Sequence, residues 1–232
     1  MRARKIVLIT ALLLAAAFVG SLLAAPMWEL QDKTWWWLTT KNGNPSGFEM
    51  ATYKKVQHEG EDCLHTMLKK FDGKKMLVYE WVRGKKQPLY SFTLKRNGKV
   101  IATGHNVPGG YEFKIKGEDV KITKEEFDFF AFDDQNIYFH VGDGETKELK
   151  IFCPLKGKVI KKSYTGKGEK KMKLNGQNFT ALVYMVVDGT TQWEVKTAKG
   201  TRAVLVADST TTGEKTKRVK KSEVKKNFPG KI

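Results

Sequence analysis

The sequence predicts an all-β protein with minor α content: a curved antiparallel sheet or half-open barrel, one short helix near residues 124–132, and a hydrophobic helix at the N-terminus. Three observations carry this. Short extended runs recur at roughly ten-residue spacing, the rhythm of a meander rather than of alternating β and α units. Turn pairs such as Asp72-Gly73, Asn97-Gly98 and Asn175-Gly176 separate them, and Asn-Gly and Asp-Gly are strong hairpin signals. The one stretch with a helix-start signature is brief.

The chain opens with Arg2, Arg4 and Lys5, followed by an apolar run over residues 6–25. At about twenty residues it exceeds the roughly 7–15 of a signal h-region, and it is long enough to span a bilayer as a helix. Residues 1–25 are therefore read as a signal peptide or an N-terminal membrane anchor, and the rest as exported. Ser21 and Ala24 permit cleavage after either; Pro26 disfavours it directly after Ala25. Trp28 and Trp35-Trp36-Trp37 follow. These indoles suit a membrane interface or a strand carrying Trp on both faces.

Residues 26–219 are read as a single β-rich domain. Strands are expected at 35–40, 48–56, 63–71, 75–81, 88–95, 100–103, 111–115 and 120–122. Thr123, then Glu125 and Glu126, then Phe127, Phe129 and Phe130 resemble a capped helix start. A helix over 124–132 would plug one end or face of the sheet with aromatic rings. Strands resume at 136–141, 148–152, 158–164, 169–174, 179–187, 192–197, 202–208 and 215–219. A twisted sheet this wide must curl, split or close. Residues 220–232 read as a basic tail after a frayed last strand.

The formal charge is +17. Three of the basic residues belong to the leader, so the exported part carries +14. Such a surface is simply a lysine-rich solvated face, or it attracts anionic partners. With export, these are lipid headgroups or another anionic envelope component, not nucleic acid; residues 6–25, if uncleaved, would add membrane contact. Cys63 and Cys153 are the only cysteines. An exported chain permits a disulfide between them, closing a loop of about ninety residues at several kcal/mol in chain-entropy models. Two buried free thiols fit the same apolar runs, and both readings stay open.

Motifs for catalysis are missing. There is no nucleophile elbow, no H-E-x-x-H, no P-loop and no paired C-x-x-C. Cys63 and His65 share a strand face, but nothing supplies further ligands for a metal. The expectation is a non-enzymatic protein with no catalytic residues, no metal site and no cofactor. Aromatic residues concentrate around 127–139 and 79–92. Core packing explains most of them; a lined apolar cavity is the functional reading. Its expected lining is Trp81, Phe127, Phe129 and Phe130, with Lys121 and Lys124 at the rim to meet an anionic headgroup.

From residue 123 to 219 the order of features resembles an exported family, domain of unknown function 3108. The pieces are the helix ending near Phe132, Glu148-Leu149-Lys150-Ile151-Phe152, Val159 through Tyr164, Gly176 through Tyr184, and the closing strands at 192–197 and 202–208. The resemblance implies a periplasmic or envelope protein with a curved sheet similar to the half-barrel of lipoprotein carriers, whose concave face holds acyl chains. It brings no catalytic residues. The expected function is binding of a lipid, lipoprotein or glycolipid, in the periplasm or at the inner membrane facing it. The alternative is a membrane-anchored assembly protein that binds an anionic polymer or a protein through its basic surface.

Overall fold

A computed structural model describes residues 33–84, 89–132 and 134–232. The leader, 1–25, and Trp28 lie outside the described residues. Two arms of strands make up the structure. The first runs β1 (Thr34–Lys41), β2 (Asn44–His58), β3 (Glu61–Phe71), β4 (Met76–Gly84), β5 (Ser91–Arg96), β6 (Lys99–Val107), β7 (Gly110–Ile115) and β8 (Glu118–Thr123). The second runs β9 (Phe129–Phe130), β10 (Thr146–Cys153), β11 (Lys158–Leu174), β12 (Gln177–Asp188), β13 (Thr191–Ala198), β14 (Val204–Ser209) and β15 (Glu214–Val219).

Each arm is a meander, and β1 pairs with β15 to join them into one sheet ordered β8 to β1, then β15 to β9. Every pairing is antiparallel except β9 with β10. The predicted curved, open antiparallel sheet is the architecture observed. Turn chemistry sets the register: Asn97-Gly98 and Asn175-Gly176 both hold positive φ at their two positions, as a two-residue hairpin turn requires.

The Trp triplet is a strand. Trp36 packs beneath one face with Leu38, Phe48, Met50 and Phe71, while Trp37 packs on the other with Ala51, Tyr53 and Leu64. Both faces of β1 are buried because side chains pack on each, Val224 and Phe228 on one and Tyr53 and Leu64 on the other, which explains an apolar run without alternation.

The sheet is rolled so that its distant ends meet. Phe92, Leu94, Tyr111, Phe113 and Ile122 of the first arm pack against Phe127, Phe130, Phe132 and Phe152. Phe152 and Ile151 are neighbours on β10, yet Ile151 packs in a different cluster with Tyr164, Tyr184 and Val195. The end of β10 is thus buried on both faces. Phe113 lies directly opposite Gly104 on β6, and a Cβ on Gly104 would come within 2.3 Å of that ring. Gly104→Ala is therefore expected to cost about 1–3 kcal/mol by overpacking, read as a lower urea midpoint at unchanged slope. An unchanged midpoint would mean the ring has room to retreat.

Four local expectations differ from the structure. The helix at 124–132 is a three-residue 3-10 turn, Lys124–Glu126, with the Glu126 carboxylate accepting from the Thr123 N–H as foreseen. Beyond it the chain extends, because the edge of β10 offers backbone partners: Asp128 N donates to Lys150 O and Ala131 N to Phe152 O. A helix of about nine residues is marginal by itself, and this edge outcompetes it. Residues 136–141 are not a strand. They form the end of the helix Asp134–Ile137 and turns. Ile137, Tyr138 and Val141 all enter one cluster, which strand alternation would forbid for adjacent residues. The chain end carries a helix, Lys221–Asn227, whose Val224 is 0% exposed. The runs at 158–164 and 169–174 are one strand, β11, with an irregularity between Gly166 and Glu169.

Candidate binding cavity

A cavity of about 410 Å³ opens on the inner face of the roll. Residues of β1 to β4 form one wall and residues of β11 to β15 the other, with Phe132 and Tyr138 from the crossing segment between. Side chains from strands so far apart in the sheet line one space only because the sheet curves. The volume falls within the roughly 300–1,000 Å³ of small-molecule sites.

Strand alternation places the lining. Trp37, the pair Ala51 and Tyr53, Leu68 and Trp81 project from β1 to β4; Tyr164, Val186, Trp193 and Val195 project from β11 to β13. Neighbouring groups hold the rings in place. Trp37 Nε1 donates to Val204 O at 2.9 Å. Tyr184 Oη donates to Tyr138 O at 3.0 Å. Trp81 sits 4.9 Å from Phe132, centroid to centroid, and Tyr138 packs edge-on to Tyr164 at 6.1 Å. The wall is therefore pre-formed rather than assembled on demand.

Five charged side chains also line the cavity: Glu49, Lys70, Lys162, Asp188 and Glu214. Lys70 Nζ donates to Glu49 Oε1 at 2.6 Å, and Lys162 lies 3.0 Å from Asp188. Both pairs are cross-strand neighbours or in register, Glu49 with Lys70 on β2 and β3 and Lys162 alongside Asp188 on β11 and β12. Glu49 holds the Lys70 ammonium well above the ordinary lysine range, and Glu214 acts in the same direction. Both lysines are already matched by carboxylates, and one negative charge is left over.

The expected site residues separate here. Trp81 lines the cavity. Phe127 and Phe130 lie instead in the packed cluster, 4.7 Å apart, with Phe130 stacked on Phe132 at 5.0 Å. Phe129 turns the opposite way and meets His140 at 5.0 Å. Lys121 is an exposed edge residue paired with Glu112 at 2.7 Å, and Lys124 is exposed on the 3-10 turn; neither borders the cavity. Cys63 and Cys153 are both free thiols, Cys63 buried. Among the described residues no group of three His, Cys, Asp or Glu side chains is placed to hold a metal ion, and no helix is long and apolar enough to cross a membrane.

Sequence reasoning missed the charged lining. A signal for it exists: Glu49 precedes Ala51 and Tyr53 at period two, Lys70 follows Leu68, Asp188 follows Val186, and Lys162 precedes Tyr164. Each is a charge in line with an otherwise apolar strand face.

No protein-family model matches the chain, and no curated protein matches it. Solved structures that align with it include the following three. The hypothetical lipoprotein YmcC of Escherichia coli is 9% identical, with 82% of this chain and 88% of that one covered and a TM-score of 0.33. A Bacteroides fragilis protein with a YmcC-like fold is 7% identical over 81% and 94%, TM-score 0.36. A protein of the domain of unknown function 1089 family from Pseudomonas aeruginosa is 10% identical over 75% and 88%, TM-score 0.29. At such scores nothing about the cavity transfers, and its chemistry rests on this chain's own residues.

Proposed function

We propose that this is a non-enzymatic envelope protein that binds an apolar or amphipathic ligand inside its rolled sheet. The observation that carries the reading is the cavity itself: about 410 Å³, walled by aromatic and aliphatic side chains, with charged groups among them. A cleft of this volume with indole, phenol and aliphatic groups beside a few charged ones is the usual setting of a small-molecule site. Export to the periplasm, or exposure to it from an inner-membrane anchor, is supported by the basic and apolar leader. Kinship with the domain of unknown function 3108 family belongs to the same proposal, and its support is the order of strands from residue 148 to 208.

Non-denaturing mass spectrometry of protein purified from its own host should find a co-purifying amphiphile. Ala207, on β14, lines the cavity. Ala207→Trp should fill the space and reduce binding of a polarity-sensitive naphthylamine probe at least about tenfold, a change of about 1.4 kcal/mol, with far-UV circular dichroism unchanged. Protein that is consistently empty, and a probe indifferent to Ala207→Trp, would sink the reading.

A further inference from the structure

The charged lining points to the kind of head group the cavity accepts. The chain as a whole is strongly basic, at +17, yet the cavity carries three carboxylates against two ammonium groups. Each lysine is already in contact with a carboxylate: Lys70 with Glu49 at 2.6 Å and Lys162 with Asp188 at 3.0 Å. An incoming anion would have to break one of these pairs and would still face the net negative charge of the lining. An incoming cation meets that charge directly.

Three of the charges lie toward the same end of their strands. Glu214 begins β15, Asp188 ends β12, and Lys162 flanks Asp188. Strand β13 connects these positions: Trp193 is in register with Val186, two residues before Asp188, and with Ser209 at the end of β14. The indole therefore stands in the charged part of the lining. A cation over an indole face is attracted to the ring quadrupole, and aromatic residues beside carboxylates are how quaternary ammonium groups are recognised. Apolar residues such as Leu68, Val195 and Ala207 supply the surface for a chain.

Building on the cavity reading above, we propose that the site selects an amphiphile whose head carries a positive charge, an alkylammonium compound in the simplest case, with Glu214 and Asp188 as its counter-charges and Trp193 as its aromatic contact. This departs from the expectation that surface lysines attract an anionic head. Lys121 and Lys124 do not border the cavity, and the lysines that do are matched.

Three ligands sharing one twelve-carbon chain test the proposal: dodecyltrimethylammonium, laurate and dodecanol, each below its micellar concentration. They compete with the naphthylamine probe on the full chain, and binding that survives Ala207→Trp is subtracted as surface binding. The ammonium compound should bind about tenfold tighter than laurate. Glu214→Gln, and independently Asp188→Asn, should reduce that preference several-fold while leaving dodecanol unchanged. Laurate binding as tightly as the ammonium compound overturns the head-group proposal and leaves the cavity reading intact. So does a preference unchanged in both variants. If none of the three displaces the probe, both proposals fall.

Discussion

Phe152→Ala is expected to cost about 3–5 kcal/mol, the usual range for a fully buried phenylalanine. For a domain of this size that lowers the melting temperature by roughly 6–20 °C. Phe152 is 0% exposed. Its ring lies 4.7 Å from Phe113, 5.9 Å from Phe127 and 6.2 Å from Phe130. Phe113 belongs to β7 and Phe152 to β10, which stand near opposite ends of the strand order. Among the described residues no strand pairing joins those ends; the short segment 124–128 connects β8 to β9, and ring packing seats the two ends against each other. Losing this ring leaves a cavity that the surrounding strands can close only by shifting the roll. Phe129→Ala is the comparison, since that ring is only half-buried and should cost distinctly less. Urea unfolding of both variants measures the difference. A Phe152→Ala cost below about 1 kcal/mol would mean the two ends are not held by this cluster.

Val224→Asp should have an effect of similar size by another route. Val224 is 0% exposed in the helix Lys221–Asn227 and packs with Trp36, Leu38, Phe48 and Phe71. Phe228 follows it onto the same surface, 5.5 Å from Phe48 and 5.6 Å from Phe71. Burying an unpaired carboxylate among these rings costs more than the docking of so short a helix supplies. The helix should therefore detach instead of tolerating the charge. A seven-residue helix has no stability of its own in water, so detachment is also melting. The expected loss is about 3 kcal/mol or more, from the burial forfeited by Val224 and Phe228. Hydrogen exchange should show lost protection at 224–228 with strands β12 and β13 unaffected. Retained protection there would contradict this account of what holds the chain end.

How much was legible in the sequence follows from where each signal resides. The strands between Asn-Gly pairs were readable because alternation and turn chemistry are local. Asn97-Gly98 and Asn175-Gly176 fold as they do whatever the rest of the chain is doing. The aromatic segment at 127–132 was harder. Its capping residues are a true helix-start signal, and the turn does begin there, but the edge of β10 converts the following residues to a strand. That edge lies some twenty residues away in the chain, and no local pattern announces it. The tail posed the reverse problem. Val224 and Phe228 are few among many lysines, and only the covered face of β1, β2 and β3 makes them a docking helix.

The candidate site shows the same division more sharply. Trp81 stood out as one of several large rings concentrated in one hairpin region, and it borders the cavity. Phe127 and Phe130 carry the same signal but pack solidly against Phe152. Ring content alone does not distinguish a wall with space beside it from a filled core. Glu49, Lys70, Lys162, Asp188 and Glu214 went unnoticed because isolated charges in a lysine-rich chain look like solvated surface.

By itself, then, the sequence determined the strand content, the meander order and the turns, since these depend on neighbours within about ten residues. The tertiary structure alone decided which ends of the sheet meet, which rings fill the interior and which border a space, and which charges share a cavity. Those outcomes depend on the curvature of a fifteen-stranded sheet. Twist accumulates over every strand in it, so small local angles sum to a closure that no short stretch of residues encodes.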